Sequence, residues 1–191
     1  ICDVARNLCG IFKRNFPRIP TFYLHCPQNV ASPAALDYFT AELGRFRLTL
    51  EESLGHKITG AALTDSIATF NDHRAALRAL YDFRRENPEK IAAAEAFLLL
   101  RVGVQMPRTE HARLVRETLA EVAQRPVRRR DRIRVLIEGS FCEQPPWDLI
   151  ATIEEAGCYI VDDDFLLGAQ WFEAPVDGQA DPIRALAESY V

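Results

Sequence analysis

The stretch RIRVLIEGSFCEQPPWDLIATIEEAGCYIVDDDF, residues 132–165, decides the fold class. Its first eight residues alternate charged with aliphatic side chains and then become apolar, which predicts a strand. Residues 147–156 place Leu149, Ile150 and Ile153 on one helical face, and CYIV at 158–161 predicts a second short strand. Strand, loop, helix and strand in this order form a βαβ unit, so the two strands are expected to be parallel.

The loop inside this unit carries a cysteine where an α/β sheet presents its ligand-binding edge. Cys142 directly follows the first predicted strand, and Pro145 and Pro146 stiffen the start of the helix. A thiolate beside a helix N-terminus is stabilised by the helix dipole, which makes Cys142 a candidate ligand or reactive thiol. The alternative is a packed thiol, with Glu143 simply lying near the helix start.

Three consecutive carboxylates, Asp162, Asp163 and Asp164, end the second predicted strand. Adjacent carboxylates repel one another, so such a run stays in water, caps a neighbouring element or binds a cation. The sequence contains neither GxGxxG nor GxxxxGK[ST], so no phosphate loop accompanies a cation site. Solvation and capping are therefore the favoured interpretations.

Helical spacing dominates the first two thirds of the chain. It predicts a short helix from Cys2 to about Phe12 and then four helices over about 32–55, 59–87, 89–104 and 109–124. Between them, TFYLH at 21–25 is short, apolar and bounded by prolines, which predicts a buried strand. We therefore predict a helix-rich α/β fold made of parts of two Rossmann-like parallel-sheet domains. Residues 1–31 would end the first α/β domain, 32–126 form a helical segment and 131–191 start the second.

Composition excludes several classes of protein. The formal net charge is −4 over 191 residues, which gives no electrostatic reason to expect nucleic acid or an anionic membrane as partner. No apolar run approaches the roughly 20 residues that cross a bilayer. The five cysteines are an odd number without a CxxC pair, which favours a reduced, cytoplasmic protein. The sequence does not begin with Met, and we expect it to be an internal piece of a longer polypeptide.

The four histidines point to one candidate. His25 follows the predicted strand and could donate a proton, whereas His56, His73 and His111 are expected at the surface.

Several stretches, in the same order along the chain, resemble the B-type subunit of ATP-dependent benzoyl-CoA reductase, in the 2-hydroxyacyl-CoA dehydratase superfamily. They are ICDVARN, KRNFP, PQN with a following SP, GSFCEQPP, EEAGCYIVDDDF and the DP of ADPIRAL. The helical middle, between LDYFTAEL and LLLRVGVQMP, fits as well. A co-linear set of this kind is more specific than any one motif.

The resemblance implies a cofactor that the cysteine spacing does not suggest. Such subunits hold a [4Fe-4S] cluster with three widely separated cysteines, and the position matching the second ligand is Cys2. The other two ligands would lie outside residues 1–191, so this chain alone could not hold the cluster. Cys9, His25, Cys142 and Glu143 are weaker candidates for residues near the site.

The resemblance also implies a reaction and partners. The expected reaction is reductive dearomatisation of an aryl-CoA such as benzoyl-CoA by single low-potential electrons. A homologous second catalytic subunit and ATP-hydrolysing, electron-activating subunits would be the partners. The alternatives are a 2-hydroxyacyl-CoA dehydratase component with the same cluster, and a non-catalytic fragment that only mediates assembly.

Overall fold

The computed structural model describes residues 3–127, 132–139, 145–165, 168, 174–178 and 180–191. In these residues the chain is a helix-rich α/β protein with a small parallel sheet, as the sequence predicts. The helices are α1 (Asp3–Asn15), α2 (Ala35–Leu54), α3 (Gly60–Glu86), α4 (Ala93–Val102), α5 (Arg108–Ala123), α6 (Trp147–Glu155) and α7 (Pro182–Glu188). The strands are β1 (Ile133–Ile137) and β2 (Cys158–Asp163).

The β1–α6–β2 unit confirms the parallel pairing predicted from residues 132–165. Ile133 pairs with Cys158 and Val135 with Ile160. Beyond that point the register shifts, so that Ile137 pairs with Asp163. Within the described residues the sheet has these two strands.

The chain divides into two compact units. One contains residues 1–67 and 176–191, and the other contains residues 68–175. These units do not test the domain boundaries predicted at 31, 126 and 131, which stay a prediction.

The core of the unit formed by residues 68–175 lies where α3, α4 and α5 meet α6 and β2. Its largest fully buried apolar side chains are Leu77, Leu80, Tyr81, Phe97, Leu100, Val115 and Ile150. Each buried aliphatic or aromatic side chain of this size contributes about 1.5–3 kcal/mol by leaving water. This core supports the face of β2 that carries Ile160.

The other unit is built on the packing of α7 against α2. The rings of Phe39 and Tyr190 lie 4.8 Å apart, and Ile67, Val176 and Ala185 form a small buried cluster. Asp181 caps α7 by accepting the backbone N–H groups of Ile183 and Arg184, at 3.1 Å each.

The predicted strand at 21–25 is wrong: this segment is not in a strand, and it packs along α2 instead. The Phe22 ring lies 4.7 Å from that of Phe46, and the Arg45 guanidinium lies 4.8 Å from the Phe22 ring centre. The Glu42 carboxylate accepts the backbone N–H of His25. An apolar run forms a strand only when it pairs with another strand. Here its apolar side chains pack against a helix instead.

The predicted helix boundaries are mostly confirmed. Thr59 caps α3 by accepting the backbone N–H of Ala62 at 3.2 Å, and α2 ends at Gly55 in the left-handed conformation. Ser32 does not cap α2, which begins three residues later; its hydroxyl accepts the Ala34 N–H in a local turn at 3.3 Å.

None of the helices in the described ranges is both long and apolar enough to span a membrane.

Candidate functional site

The carboxyl ends of β1 and β2 are joined to each other by two hydrogen bonds of Asp164. Asp164 Oδ1 accepts the backbone N–H of Gly139 at 2.9 Å, and the Asp164 N–H donates to the carbonyl of Ile137 at 3.2 Å. These two hydrogen bonds join the chain that leaves β2 to the chain that leaves β1. They fix the position at which the loop after Gly139 begins.

Below this edge, Asp163 is held in a buried polar cluster with two side chains of α3. Tyr81 Oη donates to both carboxylate oxygens at 2.8 and 2.9 Å, and Arg84 Nη1 donates to Oδ2 at 3.2 Å. Arg84 Nη2 also donates to the backbone carbonyl of Ile160 at 3.2 Å. The two side chains of the ion pair are 1% and 0% exposed, so water screens neither charge. The cluster therefore attaches the end of β2 rigidly to α3.

Burial sets the protonation states within this cluster. Burial, and then the Asp163 charge, raise the pKa of the Tyr81 hydroxyl, so this group stays a hydrogen-bond donor. Burial also raises the pKa of Asp163, although Arg84 and the donated hydrogen bonds act in the opposite direction. The Arg84 guanidinium lies over the rings of Tyr81 and Phe97, at 4.7 and 5.3 Å from their centres.

A register shift explains why Asp163, and not Asp162, faces the core. In a regular strand alternate residues share a face, so Asp162 would lie on the same side as Ile160. Val135 pairs with Ile160 and Leu136 pairs with Asp162, which leaves Val161 as an extra residue in β2. This bulge shifts the alternation by one residue, and Asp163 becomes buried with Ile160.

The three aspartates thus have three different protein partners. Asp162 pairs with Arg85 at 2.9 Å near the surface, Asp163 pairs with Arg84 in the core, and Asp164 binds the Gly139 N–H. The expectation of capping is confirmed for Asp164, whereas the sequence did not predict the buried ion pair of Asp163. The carboxylates are engaged by intramolecular donors, which argues against the cation interpretation.

The residues singled out from the sequence fall partly outside the described ranges. Cys2, Cys142 and Glu143 lie outside them. Cys9 is half-buried on α1, and His25 is exposed, with its ring 4.4 Å from that of Tyr23. The roles assigned to these residues stay predictions.

The described residues do not by themselves provide a site for an iron–sulfur cluster. Such clusters need several cysteine thiolates, whereas Cys9, Cys26 and Cys158 are free and half-buried. In the ranges that the structure covers, no group of three or more His, Cys, Asp or Glu side chains is arranged to hold a metal ion.

Two histidines that the sequence placed at the surface are buried, so that prediction is wrong. His73 is 3% exposed and His111 is 0% exposed. Helical spacing contained the signal, because His73 lies four residues before the buried Leu77 and His111 lies four residues before the buried Val115. Each histidine continues the apolar face of its helix.

The fold and the strand-edge geometry define a helix-rich α/β protein with a βαβ unit whose strand ends are joined by the hydrogen bonds of Asp164. Over residues 1–191 the chain matches the family described as 2-hydroxyglutaryl-CoA dehydratase, D-component, and it belongs to that family. The resemblance to this superfamily, first noted from the motifs, is thereby confirmed.

Relatives of the chain are both reductases and dehydratases. The chain is 40% identical over 191 residues to the C-type subunit of benzoyl-CoA reductase from Thauera aromatica, covering 100% of this chain and 50% of the relative. It is 30% identical over 190 residues to the beta subunit of lactoyl-CoA dehydratase from Anaerotignum propionicum, covering 99% and 50%. It is 27% identical over 180 residues to the beta subunit of (R)-2-hydroxyglutaryl-CoA dehydratase from Acidaminococcus fermentans, covering 93% and 47%.

The chain thus spans about half the length of these relatives. The relative from Thauera aromatica is the C-type subunit of its enzyme, whereas the motifs suggested the B-type. The comparisons support the family and a role within an enzyme complex.

Proposed function

We propose that the chain is part of a catalytic subunit of an ATP-dependent iron–sulfur aryl-CoA reductase that acts on benzoyl-CoA or a close analogue. The supporting observation is the 40% identity to the C-type subunit of benzoyl-CoA reductase along the whole chain, against 30% and 27% to two dehydratase subunits. The substrate would be an acyl-CoA thioester.

The geometry of the strand ends supports a ligand-binding role for the loop that follows Gly139. In open α/β sheets, ligands bind outside the carboxyl ends of the strands. Here that edge is held by the Asp164 hydrogen bonds and, one residue earlier, by the buried ion pair of Asp163 with Arg84. We propose that this support positions the loop so that it contributes to an acyl-CoA site.

The proposed cofactor is a [4Fe-4S] cluster, with Cys2 as one thiolate ligand and the remaining ligands from outside residues 1–191. When bound, such a cluster would supply low-potential electrons one at a time. The chain's own residues would exclude water, position the acyl group and supply protons, with His25 the candidate donor. The proposed partners are a homologous second catalytic subunit and electron-activating subunits that hydrolyse ATP.

A dehydratase component is the second candidate function. The family over residues 1–191 is named for 2-hydroxyglutaryl-CoA dehydratase, and two of the relatives are dehydratase subunits. A dehydratase would act on a 2-hydroxyacyl-CoA and release water. A third candidate is a non-catalytic assembly role, in which the chain would convert neither substrate.

Substrate choice separates these candidates. We expect the full-length subunit, assembled anaerobically with its partner subunits, ATP and a reductant, to consume benzoyl-CoA and not 2-hydroxyglutaryl-CoA. Consumption of each thioester is measured by liquid chromatography, with a reaction lacking ATP as the control. Turnover of the 2-hydroxyacyl thioester alone would replace the reductase proposal with the dehydratase, and turnover of neither would support the assembly role.

The ligand assignment predicts that iron content depends on Cys2. In the full-length subunit, Cys2→Ala should remove most of the iron and acid-labile sulfide, because a cluster held by three cysteines loses one of its protein ligands. The matched control is Cys158→Ala, since Cys158 lies half-buried in β2 and is not a proposed ligand. Equal iron and sulfide in the wild type and Cys2→Ala would reject the assignment.

A further inference from the structure

A pair of buried histidines links three helices in the unit formed by residues 68–175. His73 lies on α3 and His111 on α5, and His73 Nε2 is 2.7 Å from His111 Nδ1. The second ring nitrogen of His111, Nε2, lies 2.9 Å from the carbonyl oxygen of Leu99 on α4. A continuous hydrogen-bonded chain therefore runs from α3 through α5 to α4.

The Leu99 carbonyl fixes where the protons lie in this chain. A carbonyl oxygen can only accept, so His111 carries its proton on Nε2. A neutral imidazole has a single N–H, so His111 Nδ1 is an acceptor and His73 donates to it from Nε2. With both rings neutral, each has one defined tautomer, with its proton on Nε2.

The surroundings of the pair disfavour a further proton. Burial lowers the pKa of His73 to about 4, with smaller effects from His111, Arg108 and Arg74. Burial also lowers the pKa of His111, and Arg108 acts in the same direction, while the hydrogen bond to Leu99 opposes it. The positive charges of Arg74 on α3 and Arg108 on α5 thus disfavour a charged imidazole at His73.

The carboxylate that acts on His73 from its own helix is already engaged by an arginine. Asp72 favours the charged form of His73, but its Oδ1 lies 2.6 Å from Arg116 Nη2. From α4, the backbone carbonyl of Leu99 accepts a hydrogen bond from His111. The positive charges around the pair therefore outweigh the effect of Asp72, and the neutral rings are favoured.

We propose that His73 and His111 form an acid-sensitive latch that fastens α3 to α4 and α5. A second proton on His111 turns Nδ1 into a donor, so the hydrogen bond that His73 Nε2 donates in the neutral pair is lost. A second proton on His73 places a charge in the core near Arg74 and Arg108. Either event weakens the attachment of α3, and the latch holds only while both rings are neutral.

The direction of the pH dependence follows from the lowered pKa. His73 has an ordinary pKa of 6.5 in the unfolded chain and about 4 in the folded protein. Between these values the unfolded state binds more protons, so the stability falls as the pH falls. The stabilisation is complete above 6.5 and is lost progressively as the pH approaches 4.

The test compares His73→Gln with His56→Gln. The glutamine amide can still donate a hydrogen bond to His111 but does not titrate, whereas His56 is an exposed histidine in the same protein. For the wild type, His73 alone should raise the unfolding equilibrium constant about 30-fold between about pH 7.5 and pH 5. His73→Gln should lose this increase, and His56→Gln should retain it.

Urea titrations at each pH measure these constants, and nitrogen-15 NMR of the histidine rings provides a second measurement on the wild type. We expect His111 to show the Nε2–H tautomer, and both buried rings to stay neutral at about pH 5.5. Titration of either buried ring near its ordinary pKa would overturn the proposal. Equal pH dependence in wild type and His73→Gln would overturn it as well.

Discussion

Replacing Asp163 with alanine is expected to lower the free energy of unfolding by about 3–5 kcal/mol. The substitution leaves the Arg84 guanidinium buried without its carboxylate, and it removes the acceptor of the Tyr81 hydroxyl. Removing one partner of a buried ion pair costs more than the pair contributes, because the remaining charge is neither solvated nor paired. Urea unfolding followed by circular dichroism measures the loss.

The neighbouring aspartate is the matched control. Asp162 also pairs with an arginine of α3, at 2.9 Å, but its side chain is 23% exposed and that of Arg85 is 43% exposed. Water screens such a pair, so Asp162→Ala should cost at most about 1 kcal/mol. Equal losses for Asp162→Ala and Asp163→Ala would contradict the assignment of Asp163 as the buried anchor of β2.

A double substitution separates charge from packing. Asp163→Leu combined with Arg84→Met removes both charges and fills the space with apolar groups. This double variant should be less destabilised than Asp163→Ala, because no unpaired charge stays in the core. A double variant that loses the sum of both single losses would show that the two side chains act independently.

The sequence predicts the β1–α6–β2 unit well, because the patterns that define it are local. The alternation at 132–137, the helical face of Leu149, Ile150 and Ile153, and the short apolar run at 158–161 together predict β1, α6 and β2. Each pattern lies within one element, and parallel pairing then follows from the short crossover. Residues 132–165 therefore predict their own topology.

Contacts between distant parts of the chain are not predicted in this way. The bulge at Val161 exchanges the faces of Asp162 and Asp163, and pairing with β1 determines it. Tyr81 and Arg84 lie about 80 residues before Asp163, and their role depends on how α3 packs against β2. A run of three aspartates does not show which one is buried.

The candidate cofactor site was predicted through resemblance and not through residue patterns. Cluster ligands meet in space from separate elements, so no local spacing marks Cys2. The buried histidines show the opposite case, because the helical stripes of α3 and α5 contained both His73 and His111. Both were expected at the surface because they fall in helices, although a hydrogen-bonded neutral imidazole is compatible with a core.

Gly103→Ala is expected to lower the free energy of unfolding by about 3 kcal/mol, through overpacking and through loss of buried hydrogen bonds. Gly103 ends α4 against the His111 ring, and three ring atoms would lie within 2.8 Å of an added Cβ. The backbone of Gly103 has a φ of −60°, which any residue adopts, so conformational strain is not the cause. The ring would have to move, and it would leave its partners His73 and Leu99.

Gly44→Ala is the matched control, since it makes the same chemical change inside a helix where an added Cβ meets no atom within 4 Å. Alanine favours a helix over glycine by about 0.5–1 kcal/mol, so this variant should gain stability while Gly103→Ala loses it. Urea unfolding of the two variants and the wild type, at a pH above the ordinary histidine pKa, measures both changes. The opposite signs would show that the histidine ring, and not the loss of a glycine, determines the effect. A loss at Gly103 no larger than about 0.5 kcal/mol would mean that the ring can move freely. The close packing of the His111 ring against Gly103 would then not constrain the ring.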